Sequence, residues 1–478
     1  MFSLARVPAA DAAELVFDQL IDLVLGNNAD VRLAALDYKV ARSEIEAGLT
    51  DFDTLLTVRP EYRDERQLSN STLESANYHD TTGSISFGLK KKFSLGTQGE
   101  LVFQELWLTS DSLQSTFGDR DQAALQVKVT QPLLRGRGRD VAETSYRKAT
   151  FKADRYRAEL EGAINDAVMK AIGLHLELAQ ANIEVQFKRD EVEYYRTRKE
   201  EAEARVKAGM IVASDGLAIQ ARFQVAVAES LLAEAKATEA RDGLLREITA
   251  AEANRSTVPP LLSEEELLRV PASLPVTSTS LHPSIASVRA QGLETSADLE
   301  KARNALYPQL DLSLQGSSVG AGSNHSQAEE GWMSGRTPSW QILLSLSWPI
   351  GNDAAKGEFA RLGAENMTRE TSLGRQALEI EKQRVSTSRE LAGLRKILER
   401  IVQRSTRAEK ISDAKQAQFR VGRLDAADFI RARNDYSEAK LDALKAAIKL
   451  RKSMLKTGAL ENRLVSSERR ERFLRSLE

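Results

Sequence analysis

Proline placement is the feature that most constrains this chain. All eleven prolines fall outside two blocks, Leu133 to Val258 and Ile350 to Glu478. Proline inside a helix removes a hydrogen bond and clashes with the preceding turn, so long stretches free of it are open to uninterrupted helix. Within both blocks charged residues mix with Ala, Leu, Ile and Val at helical spacing, which predicts long helices. Each block has a single interruption. Arg205-Val206-Lys207-Ala208-Gly209-Met210-Ile211-Val212-Ala213-Ser214-Asp215 in the first matches Gln418-Phe419-Arg420-Val421-Gly422-Arg423-Leu424-Asp425-Ala426-Ala427-Asp428 in the second. The stretches Gly136 to Gly209 and Gly351 to Gly422, at about 1.5 Å per residue, would each reach about 100 Å as unbroken helix. An arm, a glycine-centred tip, a return helix begun near an aspartate and a second copy of the same predict two helical hairpins in a duplicated chain.

The 28% of charged residues are nearly balanced, and a formal charge of −2 gives no reason to expect nucleic acid as a partner. Absence of cysteine excludes disulfides, thiolate metal sites and a lipidated cysteine. No window reaches the roughly 18 apolar residues of a membrane-spanning helix, so membrane insertion would require a β-barrel with short alternating strands. Met1 to Ala13 lacks the charged start and continuous apolar core of a secretory signal. The expectation is either a signal preceding this sequence or a cytosolic protein. His79, His175, His282 and His325 are scattered, no metal-ligand spacing appears, and no nucleophile stands beside a base; the reading is a non-enzyme without a cofactor or metal.

Along the chain, helices are expected over 1–51: a short amphipathic one from Leu15 to Leu25 and another from about Asp30 to Asp51. Alternation of period two then predicts strands over 52–134. Phe52, Leu56, Val58 and Tyr62 alternate with Asp53, Thr57, Arg59, Glu61 and Arg63; Ile85, Phe87, Leu89 and Phe93 with Ser84, Ser86, Lys90 and Lys92; Leu125, Val127 and Val129 with Gln126, Lys128 and Thr130. Leu101 to Leu108 is a strand of unclear phase after a tight turn at Gly96 to Gly99, and Gln67 to Asp80 is a polar loop. Hairpin one occupies 135–257 with its tip near 209, and its stripe Ile164, Val168, Ile172 and Leu176 continues through Ile183 and Phe187. A Pro-rich connector with one short acidic helix covers 258–281. Residues 282–306 form a helix and 307–350 two strands, Leu310, Leu312 and Leu314 in the first, Ile342, Leu344, Leu346 and Trp348 in the second. Gly316 to Pro338 between them reads as a Gly/Ser-rich loop. Hairpin two covers 351–460 with its tip near 422, Leu391, Leu394, Leu398 and Ile401 giving a coiled-coil spacing. The tail over 461–478, rich in Arg and Glu from Ser466, is expected to fray.

This order resembles the TolC-like outer-membrane efflux protein family over nearly the whole chain. Carrying the resemblance are the two Gly tips followed by Asp215-Gly216-Leu217 and Asp428-Phe429-Ile430, the junction Ala305-Leu306-Tyr307-Pro308-Gln309-Leu310, and strand exits at Gln131-Pro132 and Trp348-Pro349. The resemblance implies a mainly α fold with β: long antiparallel helical hairpins forming an α-barrel segment, outer-membrane β-barrel strands, two structural repeats and a trimeric channel. It further implies a passive duct in the lipid bilayer of the outer membrane, reaching through the periplasm to a periplasmic adaptor and an inner-membrane pump, of the RND, ABC or a similar class, for efflux or type I secretion. Four strands in the first repeat and two in the second depart from the family's usual four per protomer. They imply an 18-stranded barrel, unless the extra hairpin, Lys90 to Leu108, folds over the rim.

By the same resemblance Val206, Gly209, Met210, Val421, Gly422, Arg423 and Leu424 would form the adaptor-contact tips. Asp215, Asp428 and Arg431 would form a gate, Arg431 lying on the same helix face as Asp428, three residues on. Both aspartates also read as helix N-caps, which need no pore and do not exclude a gate. Arg431 stands where the family often has a second acidic residue. The charged strand positions Arg59, Glu61 and Arg63 read as lining a wet lumen, and the Arg135-Gly136-Arg137-Gly138-Arg139 run as a barrel-to-helix joint, since it lacks a P-loop's Gly-Lys-Ser/Thr. A soluble coiled-coil scaffold is the competing reading; it would explain the long arms but not strands at equivalent places in both halves.

Overall fold

A computed structural model of the chain describes residues 9–68, 77–110, 120–248, 258–269, 282–335, 337–421 and 423–477. In order these hold α1 (Ala9–Asn27), α2 (Ala29–Leu49), a 3₁₀ turn at Thr50–Phe52, and strands β1 (Leu55–Leu68), β2 (Asn77–Lys92), β3 (Gln98–Ser110) and β4 (Arg120–Pro132). Then come α3 (Arg139–Ala142), α4 (Thr144–Lys207), α5 (Ala213–Ile248), α6 (Glu264–Leu268) and α7 (Pro283–Ala305). The remainder is β5 (Gln309–Gly322), α8 (His325–Met333), β6 (Pro338–Ser347), α9 (Asp353–Arg420), α10 (Ala426–Leu460) and α11 (Ser467–Leu477). The helices of 64 and 68 residues, α4 and α9, are the two expected arms. Contacts divide the chain into two units, one of Val40–Arg155 and Val288–Ser372, the other of Met1–Lys39, Tyr156–Ser287 and Leu373–Glu478.

The first of these units holds the sheet. Its six strands pair antiparallel in chain order, β1 to β6, so the hairpin of β2 and β3 lies within the sheet and does not fold away from it. Register assigns the phase that Leu101 to Leu108 leaves open: Leu101 pairs with Leu89, Phe103 with Phe87 and Trp107 with Gly83. One face therefore carries Leu56, Val58 and Tyr62 of β1 with Leu89, Leu101, Val127, Leu314, Ile342 and Leu344 of the following strands. The other carries Arg59, Ser86, Gln104 and a cross-strand row of Lys90, Glu100, Lys128, Gln315 and Gln341. The tight turn before β3 meets the strand exit, where the Gly138 N–H donates to the Leu95 carbonyl at 3.3 Å. The exit is tied to the second half of the chain by Leu133 N–H to the Leu310 carbonyl, 2.7 Å, and Gly136 N–H to Asn304 Oδ1, 2.7 Å. Helix segments of this unit are laced by Lys152–Glu44, 2.6 Å, Arg155–Glu294, 3.1 Å, and Arg147–Glu300, 2.7 Å.

Two expectations for this unit are corrected. The polar loop read from Gln67 to Asp80 is shorter, since β1 runs to Leu68 and β2 starts at Asn77. Gly316 to Pro338 is not a loop: β5 extends to Gly322 and α8 follows, capped by Asn324, whose side chain accepts from the Gln327 N–H at 3.1 Å. Small side chains there leave strand pairing intact and let a helix lie directly on it. A Cβ on Gly320 would stand 2.0 Å from the Ala328 carbonyl oxygen.

The second unit is helical. Leu20, Val24 and Val31 of α1 and α2 pack with Leu160, Ile164, Val168, Ile172 and Leu176 of α4 and Leu244 and Ile248 of α5, all nearly free of solvent. This is the stripe read from the sequence, and it works because positions three and four apart share a helix face. His175 on that stripe is fully buried; its Nε2 meets the Pro260 carbonyl at 3.1 Å. The short acidic helix of the connector is α6, and Arg451 of α10 caps its C-terminal end, donating to the carbonyls of Glu266, Leu267, 3.2 Å, and Arg269, 2.9 Å. The return helix expected to reach Asn254 is seen to Ile248; 249–257 lie outside the described residues. Where a frayed tail is expected, α11 is formed: Leu474 joins the core, and buried Arg470 donates to the Asn462 carbonyl at 2.5 Å. Burial of one apolar side outweighs the tail's high charge.

Candidate functional site

The helix ends near 209 and 422 build one cluster. α4 closes with the Met210 N–H on the Arg205 carbonyl, 2.9 Å, and the Gly209 N–H on the Val206 carbonyl, 3.0 Å, while Gly209 takes φ of +69°. This is the glycine-terminated helix end in which two orphan carbonyls are satisfied by a left-handed residue. At the second tip the Arg423 N–H reaches the Gln418 carbonyl at 3.0 Å, the equivalent outer bond; Gly422 itself lies outside the described residues. The Arg205 guanidinium joins the two tips, donating to the Arg420 carbonyl at 3.0 Å. Beneath the turns Tyr195, Ile219, Phe419, Ala426 and Phe429 are buried together, with Leu424 and Ile211 packed on them, and Phe419 stacks on Phe429 at 4.9 Å. Val206 is half-buried beside Gly216, where a Cβ would stand 3.0 Å from its Cγ2. Met210, Val212, Leu217 and Val421 remain exposed, from 66% to 74%.

Asp215 and Asp428 occupy equivalent places, the third residue of α5 and of α10. Neither is the cap: Asp425 caps α10, accepting from the Asp428 N–H at 2.8 Å. Both carboxylates sit in a first turn, where the helix dipole favours negative charge. Arg431 Nη1 stands 3.4 Å from Asp428 Oδ1, a solvent-exposed pair within one helix. The aspartate of the second tip thus faces a cation of its own chain.

Deeper along the hairpins lies a cluster that reading by spacing missed. Glu191 of α4, with a side chain fully removed from solvent, meets Lys188 at 2.8 Å, Arg222 of α5 at 3.3 Å and the Ser437 hydroxyl of α10 at 3.3 Å. Glu229 completes it, 2.7 Å from Lys188 and 3.0 Å from Arg222. Burial pushes the Lys188 ammonium down, but the two carboxylates more than offset this and hold it above the usual lysine range. Burial likewise raises Glu229, and Arg222 and Lys188 together bring it below the usual carboxylate range. Two cationic and two anionic side chains therefore face one another in a place where burying any one charge alone would be costly. The signal lay in Lys188 and Glu191 sitting beside the apolar Phe187 on the long stripe.

The sheet presents a second surface. On its apolar face Trp340, Ile342, Leu344 and Leu346 of β6 are each 61% to 76% exposed, and Trp348, one residue past the strand, is 69% exposed, so an aliphatic band has a tryptophan at each end. The row through Leu56, Leu89, Leu101, Val127 and Gly316 arrives at Trp340, whereas the row through Tyr62, Gly83, Trp107 and Asp121 arrives at Gly322, six residues farther along β5. Aromatic limits on β1 and β6 thus differ by about 20 Å along the strands across about 24 Å of sheet, at about 3.3 Å per residue and 4.8 Å per strand. The band is level only if the strands tilt by about 40°, which is the tilt of outer-membrane barrels, about 35–45°. No described helix is long and apolar enough to cross a membrane.

By sequence, no protein family and no curated protein matches the chain. Solved structures do. The outer-membrane channel OprN aligns with 94% of this chain and 90% of its own at 15% identity and a TM-score of 0.63. The CmeC outer-membrane channel of Campylobacter jejuni aligns with 97% and 89% at 11% identity and 0.64. The outer-membrane protein VceC of Vibrio cholerae aligns with 93% and 96% at 12% identity and 0.62. Long paired helices ending in glycine-turned tips, a six-stranded sheet with a tilted apolar band, and these alignments over nearly the full length together place the chain in the fold of the TolC-like outer-membrane efflux proteins.

Proposed function

We infer that the protein is an outer-membrane channel, a passive duct whose strands complete a β-barrel and whose hairpins continue the conduit into the periplasm. The tilted band bracketed by tryptophans carries this reading, because only a bilayer gives one sheet face a uniform apolar height with aromatic limits. In hydrocarbon, the unpaired backbone groups of edge strands β1 and β6 must find partners. Closure with further copies supplies them, and three copies of six strands make the 18-stranded barrel of a homotrimer. The polar face, with Arg59 and the Lys90, Glu100 and Lys128 row, then lines the water-filled interior. A soluble scaffold offers no reason for the band.

The tips dock to a periplasmic adaptor of an inner-membrane pump in this reading, through exposed Met210, Val212, Leu217 and Val421, together with Arg423. Asp215, Asp428 and Arg431 narrow the periplasmic mouth, and the Asp428–Arg431 pair tempers the like-charge repulsion of a threefold acidic ring. Fractionation of cells producing the protein tests the duct: a detergent-stable trimer in the outer membrane is expected, and a soluble monomer refutes it. For the gate, single-channel recording of the Asp428→Ala, Arg431→Ala double variant in a planar bilayer should give a larger conductance than the parent. Equal conductance removes both residues from the gate.

A further inference from the structure

The helix α8 is not accounted for by a duct. We propose that it lies in the headgroup layer of the outer leaflet, a lipid-facing helix that seals the rim of the barrel wall; this rests on the outer-membrane reading above. The face on which it sits decides the matter. Ser318, Gly320, Glu105 and Ala123 project from the same side of the sheet as Leu101, Phe103, Val127 and Leu314, as the alternating register requires. Onto that side α8 is fastened: Ser318 Oγ donates to the Trp332 carbonyl at 2.9 Å, the Trp332 ring lies 5.6 Å from Phe103, and Ala328 is wholly buried. A helix hung over the lumen would instead contact the Lys128 and Gln315 face.

Its height follows from the tilt. The outer limit of the apolar band, interpolated from Trp340 on β6 to Tyr62 on β1, crosses β5 near Ser317 and β3 near Glu105. Gly320 is three residues beyond the crossing on β5, about 10 Å along the strand and about 8 Å along the membrane normal at a tilt of about 40°. The headgroup layer on each side of the hydrocarbon is about 5–8 Å thick. Helix α8, resting on Ser318 and Gly320, thus lies at headgroup height, just outside the hydrocarbon, with Met333 72% exposed.

One residue explains why the wall needs this cover. Glu105 is a carboxylate in an otherwise apolar outward row of Leu101, Phe103 and Trp107, and at the band's edge it would face lipid. Under α8 its side chain is 12% exposed and meets the imidazole of His325, which also lies 3.5 Å from Glu329. The helix keeps this carboxylate away from acyl chains.

The cysteine-free chain permits single-site spin labels. Labels on Met333→Cys, Leu344→Cys and Ser345→Cys would be compared in the reconstituted protein, in vesicles of phosphatidylethanolamine and phosphatidylglycerol, by oxygen and nickel-chelate accessibility. Expected are a phosphate-level depth for Met333→Cys, a hydrocarbon depth for Leu344→Cys and free nickel access for Ser345→Cys. A Met333→Cys label as nickel-accessible and oxygen-poor as that on Ser345→Cys, or as deep as that on Leu344→Cys, overturns the placement of α8. A Leu344→Cys label outside the hydrocarbon overturns the outer-membrane reading instead.

Discussion

Replacing Glu191 by Gln should loosen the hairpins where α4, α5 and α10 meet. The substitution keeps shape and removes one of the two carboxylates that face Lys188 and Arg222, whose side chains are 11% and 12% exposed. Breaking a buried pair from one side costs about 3–5 kcal/mol, because the partner charge stays desolvated. Here Glu229 remains and its side chain is 34% exposed, so water relieves part of the strain and the expected cost is near about 3 kcal/mol. At about 1.4 kcal/mol per tenfold, amides that exchange through opening of this region should exchange about 100-fold faster. The sign against pH is definite. Glu229 is held below the carboxylate range, so its contribution is present above that range and lost as pH falls through its depressed value. Lys188 is held above the lysine range, so its contribution is full at neutral pH and lost only as pH rises beyond that range. Hydrogen exchange with mass spectrometry on the detergent-solubilised protein at neutral pH therefore reads the Glu229 and Lys188 contributions in full. Glu193→Gln is the control, since its partner Arg196 at 2.7 Å is on the open surface and the loss should leave exchange unchanged. Peptides covering Lys188 to Arg205 that exchange equally in both variants would show that the cluster holds nothing together.

Three further outcomes are expected. Gly320→Val places a side chain where the Ala328 carbonyl lies, so α8 should leave the sheet and cleavage by a glutamate-specific protease at Glu329 or Glu330 should accelerate; unchanged cleavage would show that the close approach is not needed. Asp425→Ala removes the cap of α10 and should cost about 1 kcal/mol, read as about fivefold faster exchange in its first turn and none elsewhere. His175 is held below its usual range by burial, against the pull of the Pro260 and Pro259 carbonyls, so its contribution is full above the ordinary imidazole value and falls as pH drops below it. The thermal unfolding midpoint should accordingly fall from about pH 7 to about pH 5, and His175→Phe should flatten that slope.

The hairpins were legible because proline avoidance and helical spacing are local signals repeated over many residues. Ile164, Val168, Ile172 and Leu176 point to a core whatever they pack against. The strand count was legible too, since Leu56 and Val58 or Leu344 and Leu346 alternate with polar neighbours wherever one face is wet. Helix α8 was not, because Gly and Ser in 316–338 carry no period, and their meaning is the closeness they allow between a strand and a helix. Nor was the distinction between Asp425 and Asp428. Both are good caps by type, and only the backbone turn decides which carboxylate meets which N–H.

What the amino-acid order alone determined is therefore the two long helical hairpins and the number of strands, through steric and solvation preferences felt within a few residues. Tertiary structure decided everything that depends on partners distant in sequence: the row that tilts the apolar band, the four charges of the Glu191 cluster, the burial of Arg470 in a tail expected to fray, and the helix resting on Gly320. Periodicity reports which side of an element is apolar, and it carries no record of what that side will touch.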